Sequence, residues 1–429
     1  MVIGSGMFEF IRYSLDPEAE MLKGMGKIDW EKMFQFADEQ GILGIVFQGV
    51  REIMDNGKWK MEDDGHTEST ESTERESGGP DYDLMLEWGF VAQEIENRNK
   101  KVNKAVVRLA EELKEKGFGC CILKGQGNNL LYPNVYSRTP GDIDVWVVDK
   151  WKMENGKWII GQDVRRVIRF VKERNPEARA VYHHIDYGEY DDVEVEVHYR
   201  PSFMNDPIHN RRLQKWFEQK APEQFAHVVE LPDGVGEVAV PTVEFNLIFQ
   251  LSHVYNHLLH EGIGLRQIID YYYLLRKWKM DNGKWIIKGN TDRTDDTDLR
   301  DTLRYLTSST SVATRQCMNE FPLRSLLRRL GMWKIAGAMM WVLNEVLGLE
   351  EKYLIAPKNE KLGRVLLAEM LRGGNFGQFD IDNIKADSQL KKNWQRIRRD
   401  LRMMRYFPSE CLWEPVFRIG HFFWRTRNQ

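Results

Sequence analysis

The segment that most constrains this chain is GDIDVWVV at residues 141–148, where polar and apolar side chains alternate. A period of two predicts a β-strand, with Asp142 and Asp144 leaving one face and Ile143, Val145 and Val147 the other. The apolar set must be buried, so the chain has to build a sheet with a covered face. The two carboxylates repel each other unless something positive sits between them. A divalent cation is the natural neutraliser, and Mg²⁺ prefers one or two carboxylates together with substrate phosphates.

Two further segments extend this pattern. In VEVEVHYR (193–200), Glu194, Glu196 and His198 share one face. Packed beside the first strand, this segment adds a third carboxylate and completes a two-metal arrangement, in which one ion activates a hydroxyl and the other stabilises leaving pyrophosphate. Upstream, LKGQGN (123–128) lies where a strand feeds a helix. Its glycines let backbone amides approach phosphate oxygens, the helix N-terminus favours negative charge, and Lys124 adds a point charge. A D-x-D pair alone is more often a solvated strand face; the glycine turn tips the reading toward a nucleotide.

The run LKG…LYPN…R…GDIDVWV, followed by VEVHYRP and then GLRQIIDYYYLL, resembles the bacterial uncharacterised nucleotidyltransferase family of the polymerase-β superfamily. The likeness spans roughly residues 95–275. It implies an α/β (α+β) fold, a small mixed-sheet core flanked by N-terminal and C-terminal helical regions. It also implies transfer of a nucleoside monophosphate from an NTP such as ATP to a hydroxyl, with Mg²⁺ or Mn²⁺. Residue by residue, Lys124, Gly125, Gln126 and Gly127 fall on the phosphate turn, and Asp142, Asp144 and Glu196 on the metals, with Glu194 as fallback. Arg138 or Arg266 then neutralises the phosphoryl group; Tyr132, Gly141 and Asp270 match the family's intervening pattern. The superfamily's usual turn is Gly-Gly or Gly-Ser, whereas here, as in this family, it is Lys-Gly. The alternative is a nucleotide-binding or regulatory module of the same fold without turnover. Protein, RNA, sugar and small molecule all stand open as acceptors.

A chain of 429 residues, 42% hydrophobic, can bury more than one core. Residues 1–117 read as helical, 118–240 hold the strands, and 241–429 return to helical spacing. Near-identical stretches, KWKMENGKWII (150–160) and KWKMDNGKWII (277–287), with an echo in DNGKWKMEDDG (55–65), interrupt this plan. Their spacing is too irregular for a solenoid. They read as inserts in surface loops, over 55–82, 150–160 and 277–297, with the Asn-Gly pairs predicting small hairpins. The first and third run into polar, low-complexity stretches that predict disorder.

The remaining signals are negative or secondary. A net charge of −4 excludes wholesale coating of nucleic acid. Four cysteines without metal-ligand spacing, and no apolar leader, fit a soluble protein of a reducing cytoplasm without membrane insertion. His253, His257 and His260 share a helix face at the spacing of a zinc helix, but Val254 stands where zincins carry Glu, so nucleotide contact or core packing competes. Alternation places Tyr182, His184 and Asp186 on one strand face and His183 on the other, giving His183 a hydrogen-bonded structural role. The basic tail KKNWQRIRRDLRMMRYF reads as an amphipathic helix that buries its Leu401 and Met404 side, with RNA contact as the alternative. Docking on the helical domain is the expectation for FRIGHFFWRTR.

Overall fold

The computed structural model describes residues 5–16, 28–55, 79–154, 157–161, 163–281, 323–374 and 389–428. Helices α1 (Ser5–Leu15), α2 (Trp30–Glu39), α3 (Leu43–Asp55) and α4 (Tyr82–Glu115) lead into β1 (Gly119–Ile122). Then come α5 (Gln126–Asn129), β2 (Ile143–Val148), the hairpin β3 (Lys150–Glu154) and β4 (Lys157–Gly161), and α6 (Val164–Arg174). Strands β5 (His184–Tyr190) and β6 (Val193–His198) precede α7 (Pro207–Ala226), the short pair β7 (Val228–Glu230) and β8 (Glu237–Ala239), α8 (Val243–His260) and α9 (Leu265–Asp281). Further helices include Trp333–Trp341, Glu360–Gly373, Gln389–Met404 and Pro408–Asn428.

The central sheet has the order β1-β2-β6-β5, with β2 and β6 parallel and the outer pairs antiparallel. Alternation sorts its side chains into two layers. Ile143, Val145 and Val147, with Val193, Val195 and Val197, pack against Val106 and Leu109 of α4 and Val167 and Val171 of α6. Trp146 and Val148 leave the other face and join the core of the helical flanks. There Trp146 meets Phe225 at 4.9 Å and Phe245 at 5.7 Å between ring centroids. With both faces covered, every residue of β2 is buried.

The helices before and after the sheet region share that second core rather than forming separate bodies. Tyr273 Oη donates to Leu15 O at 3.1 Å, Arg12 Nε to Val346 O at 2.9 Å, and the Leu265 amide to Gln40 Oε1 at 2.9 Å. Helix α7 is absent from the sequence reading. Its face of Leu213, Trp216, Phe217, Ala221 and Phe225 was there to be found, but Pro222 inside the helix obscures the pattern. No helix among the described residues is long and apolar enough to cross a membrane.

The repeated segments take different structures in different places. The copy at 150–160 forms the β3–β4 hairpin, paired from Lys150↔Gly161 to Glu154↔Lys157, as its Asn-Gly pair predicts. In the other copy, residues 277–281 are the last turn of α9, and Trp278 is 4% exposed within the core. The insert therefore does not begin at 277: Trp278 falls four residues after Leu274 and seven after Tyr271, on the buried stripe of α9, and that packing overrides the local pattern. Residues 56–78 and 282–322, which carry the echo and the low-complexity stretches, lie outside the described residues.

The tail also departs from expectation. Leu401 is 62% exposed, and Met403 is the buried residue of its turn, followed into the core by Phe407 and Cys411. The last helix docks on the sheet region as well as on its helical neighbour, with Phe417 and Trp424 at 5.1 and 6.1 Å from Tyr182, where the sequence predicts docking on the helical domain.

The two repeat copies should respond differently to mutation. Trp278→Ala is expected to cost about 3–5 kcal/mol in urea unfolding, the usual loss for a buried Trp. Replacing residues 151–159 with a short Gly/Ser bridge should cost less than about 1 kcal/mol, because it shortens a hairpin whose two strands pair only with each other among the described residues. A larger loss from the deletion than from Trp278→Ala would refute this assignment.

Candidate active site

The parallel pairing of β2 with β6 sets Asp144 opposite Glu196 and Trp146 opposite His198. The repulsion that the sequence implies is answered here by protein cations. Lys124 Nζ lies 2.8 Å from Asp144 Oδ2, and His198 Nε2 lies 2.9 Å from Asp144 Oδ1 and 3.2 Å from Glu196 Oε2. The Asp144 side chain is only 2% exposed. Burial alone would raise its pKa, but Lys124 and His198 hold it well below the usual carboxylate range. His198, against the effect of burial, is pushed up to about 9 by its bonds to Asp144 and Glu196. Lys124 likewise gains basicity from the carboxylates despite burial. Asp142 is left over: the charge of Asp144, then burial, raises it to about 6.

Lys124, Asp142 and Asp144 open onto one cleft, lined also by Gly125, Arg266 and His253; Glu196 and His198 stand behind Asp144 rather than on the cleft lining. Gly125 adopts φ 53° and ψ −108°, a conformation that favours glycine. The rest of the phosphate turn is less available than the sequence suggests. The Gly127 amide donates to Lys124 O at 3.2 Å, and a Cβ at Gly127 would lie 3.2 Å from Val240. Gln126 turns its side chain away, to Asn103 and to the Asn99 carbonyl at 3.4 Å. With four residues, α5 is also too short to supply the helix-terminus field expected for phosphate. The amides of Gly125 and Gln126 have no hydrogen-bond acceptor among the described residues.

Arg138 and Arg266 have different roles. Arg138 Nε and Nη2 donate to the two carboxylate oxygens of Asp270 at 2.7 and 2.8 Å, and Tyr132 Oη adds a bond of 2.6 Å. This buried fork ties the loop before β2 to α9, so Arg138 and Asp270 form a strut and Arg138 is largely committed. Arg266, one turn earlier on α9, donates to Thr139 O at 2.9 Å beside Gly141 and lines the cleft.

Of the histidine helix, His253 reaches the site, its Nε2 3.2 Å from Lys124 Nζ and 2.8 Å from His257 Nε2. His257 Nδ1 in turn lies 3.0 Å from Glu261 Oε2. Among the described residues, no group of three potential metal ligands includes His253, His257 or His260, so the zinc-helix alternative gains no third donor. His260 is half-buried, its ring 6.0 Å from that of Phe203, and desolvation pushes it down to about 4. On β6, Glu194 is exposed while Glu196 turns inward, which favours Glu196. For His183 the structure departs from the expected facing. Strand β5 begins only at His184, so alternation does not reach back to His183, whose ring lies 5.5 Å from that of His198. Sequence reasoning passed over this clustering; the His183-His184 dipeptide next to a carboxylate-bearing strand was its only signal.

Residues 26–308 match the family described as "Uncharacterised nucleotidyltransferase". No curated protein and no solved structure matches the chain. With more than half its length matched, with the D-x-D strand and the Lys-Gly turn on one cleft and an acidic strand paired beside them, the chain belongs to the uncharacterised nucleotidyltransferase family and is an enzyme of nucleotidyl transfer.

Proposed function

We propose that the enzyme moves a nucleoside monophosphate from an NTP such as ATP to the hydroxyl of a protein, RNA, sugar or small-molecule acceptor, releasing pyrophosphate. The observation that carries this reading is the Asp144↔Glu196 register, which sets a third carboxylate next to Asp144, while Asp142 and Asp144 line the cleft. The donor set fits Mg²⁺ or Mn²⁺: three carboxylates face two internal cations, and the raised pKa of Asp142 marks the negative charge left unbalanced. Asp142, Asp144 and Glu196 would hold the ions. When bound, divalent ions would favour the ionised acceptor hydroxyl and offset charge on the leaving pyrophosphate. Lys124 and the amides of Gly125 and Gln126 hold the triphosphate, and Arg266 meets charge growing on the phosphoryl oxygens.

The two aspartates separate function from stability. Both Asp142→Asn and Asp144→Asn should lower pyrophosphate release with an NTP by about a thousandfold or more, equivalent to about 4 kcal/mol of barrier. Glu196→Gln should behave the same way and Glu194→Gln should not. Nucleotide binding without pyrophosphate release in the wild type would favour the binding-only reading instead.

Their effects on folding in EDTA should have opposite sign. Folded Asp142 holds its proton up to about pH 6 against an ordinary value of 3.8, so stability falls as pH rises through that window. Asp142→Asn removes this loss and should stabilise the protein at pH 7 by up to about 3 kcal/mol, with the gain vanishing below about pH 4. Asp144→Asn strands the buried Lys124 and His198 charges and should destabilise by about 3–5 kcal/mol. Equal shifts in melting temperature for the two variants at pH 7 would count against these charge assignments.

A further inference from the structure

On the β5 side of Glu196, the three imidazoles of His183, His184 and His198 gather. His183 Nε2 lies 3.0 Å from His184 Nδ1, His184 Nδ1 lies 3.5 Å from Glu196 Oε2, and Glu196 Oε2 lies 3.2 Å from His198 Nε2. Ligand nitrogens of His183, His184 and His198 all fall within 4.8 Å of one another. A tetrahedral ion bound at about 2.0–2.1 Å sets neighbouring donors about 3.3–3.4 Å apart, and the 3.0 Å between His183 Nε2 and His184 Nδ1 is close to that edge.

Hydrogen bonding alone accounts poorly for the cluster. His184 Nδ1 faces both a second imidazole and a carboxylate, and a neutral ring offers only one donor and one acceptor. His198 is 3% exposed, and its Nδ1 has no hydrogen-bond partner among the described residues. The surroundings are also fixed in advance. The amides of Tyr199 and Arg200 donate to His183 O at 3.0 and 3.2 Å, and Tyr199 Oη donates to His184 O at 3.0 Å. The ring of Phe203 lies 4.9 Å from that of His183 and forms an apolar wall.

We propose that His183, His184 and His198 bind one transition-metal ion of the Zn²⁺ class, in addition to the hard-cation positions at Asp142 and Asp144. Imidazole-rich sets select such ions, whereas carboxylate and water suit Mg²⁺. The inference shares no metal ligand with the proposed active site, and binding of the ion requires no transfer chemistry.

Co²⁺ tests this directly. Titrated alone into EDTA-stripped full-length protein without nucleotide, it should bind as a single equivalent with the visible absorption of tetrahedral Co²⁺. Zn²⁺ should displace it and excess Mg²⁺ should not. His183→Ala and His184→Ala should each weaken Zn²⁺ at least about tenfold, the loss known even for groups that only support a ligand. His184→Gln, closer in volume, guards against a folding artefact, and Glu194→Gln should bind as wild type does. Absence of the band, or a band that survives all the histidine variants, overturns the proposal. A Co²⁺ site in a protein that never releases pyrophosphate would leave this inference standing and remove the functional one.

Discussion

Asp144 is the residue on which the site depends. An isolated carboxylate at 2% exposure would be too costly to ionise, and the fold meets that cost with Lys124 at 2.8 Å and His198 at 2.9 Å. Each partner comes from a different place: Lys124 from the turn after β1, His198 from the end of β6, two residues beyond Glu196. The ion cluster therefore locks the glycine turn and two parallel strands into one arrangement. It also explains why neighbouring aspartates differ so much. Asp144 is held ionised by direct cationic contacts, while Asp142, with the charge of Asp144 beside it, is raised to about 6.

The scaffold follows from the same strand. Ile143, Val145 and Val147 feed one apolar layer and Trp146 the other, so β2 is clamped from both sides. Asp144 lies on the Trp146 face, toward the flanking helices, and α8 and α9 complete the cleft from there with His253 and Arg266. The Arg138–Asp270 fork fixes α9 against the loop that delivers Asp142. A site assembled across this distance in sequence needs the helical flanks as much as the sheet.

Much of this was legible in the sequence because it rests on period two. The faces of β2 and β6, and the choice of Asp142, Asp144 and Glu196, follow from alternation and adjacency. What was not legible depends on tertiary contacts. Nothing local distinguishes Arg266, bonded to Thr139 O, from Arg138, held in the fork with Asp270, since the difference is a partner 132 residues away. The same KWKM segment is strand in β3 and helix in α9 because only the second copy places its Trp on an existing buried stripe. His183 was misplaced because alternation was extended one residue beyond the strand, and Leu401 because a helix phase was chosen without knowing which side the core would take.

The central claim is that the α-phosphorus of an NTP is the atom transferred. Incubating the wild-type enzyme and a cell lysate with α-labelled and γ-labelled ATP, CTP, GTP and UTP, then separating products by size, addresses it most directly. The account predicts label on a larger species from the α position only, with γ label leaving as pyrophosphate. Transfer of γ label to the acceptor would contradict it, since the reaction would then be phosphoryl transfer and the reading of the cleft would be wrong.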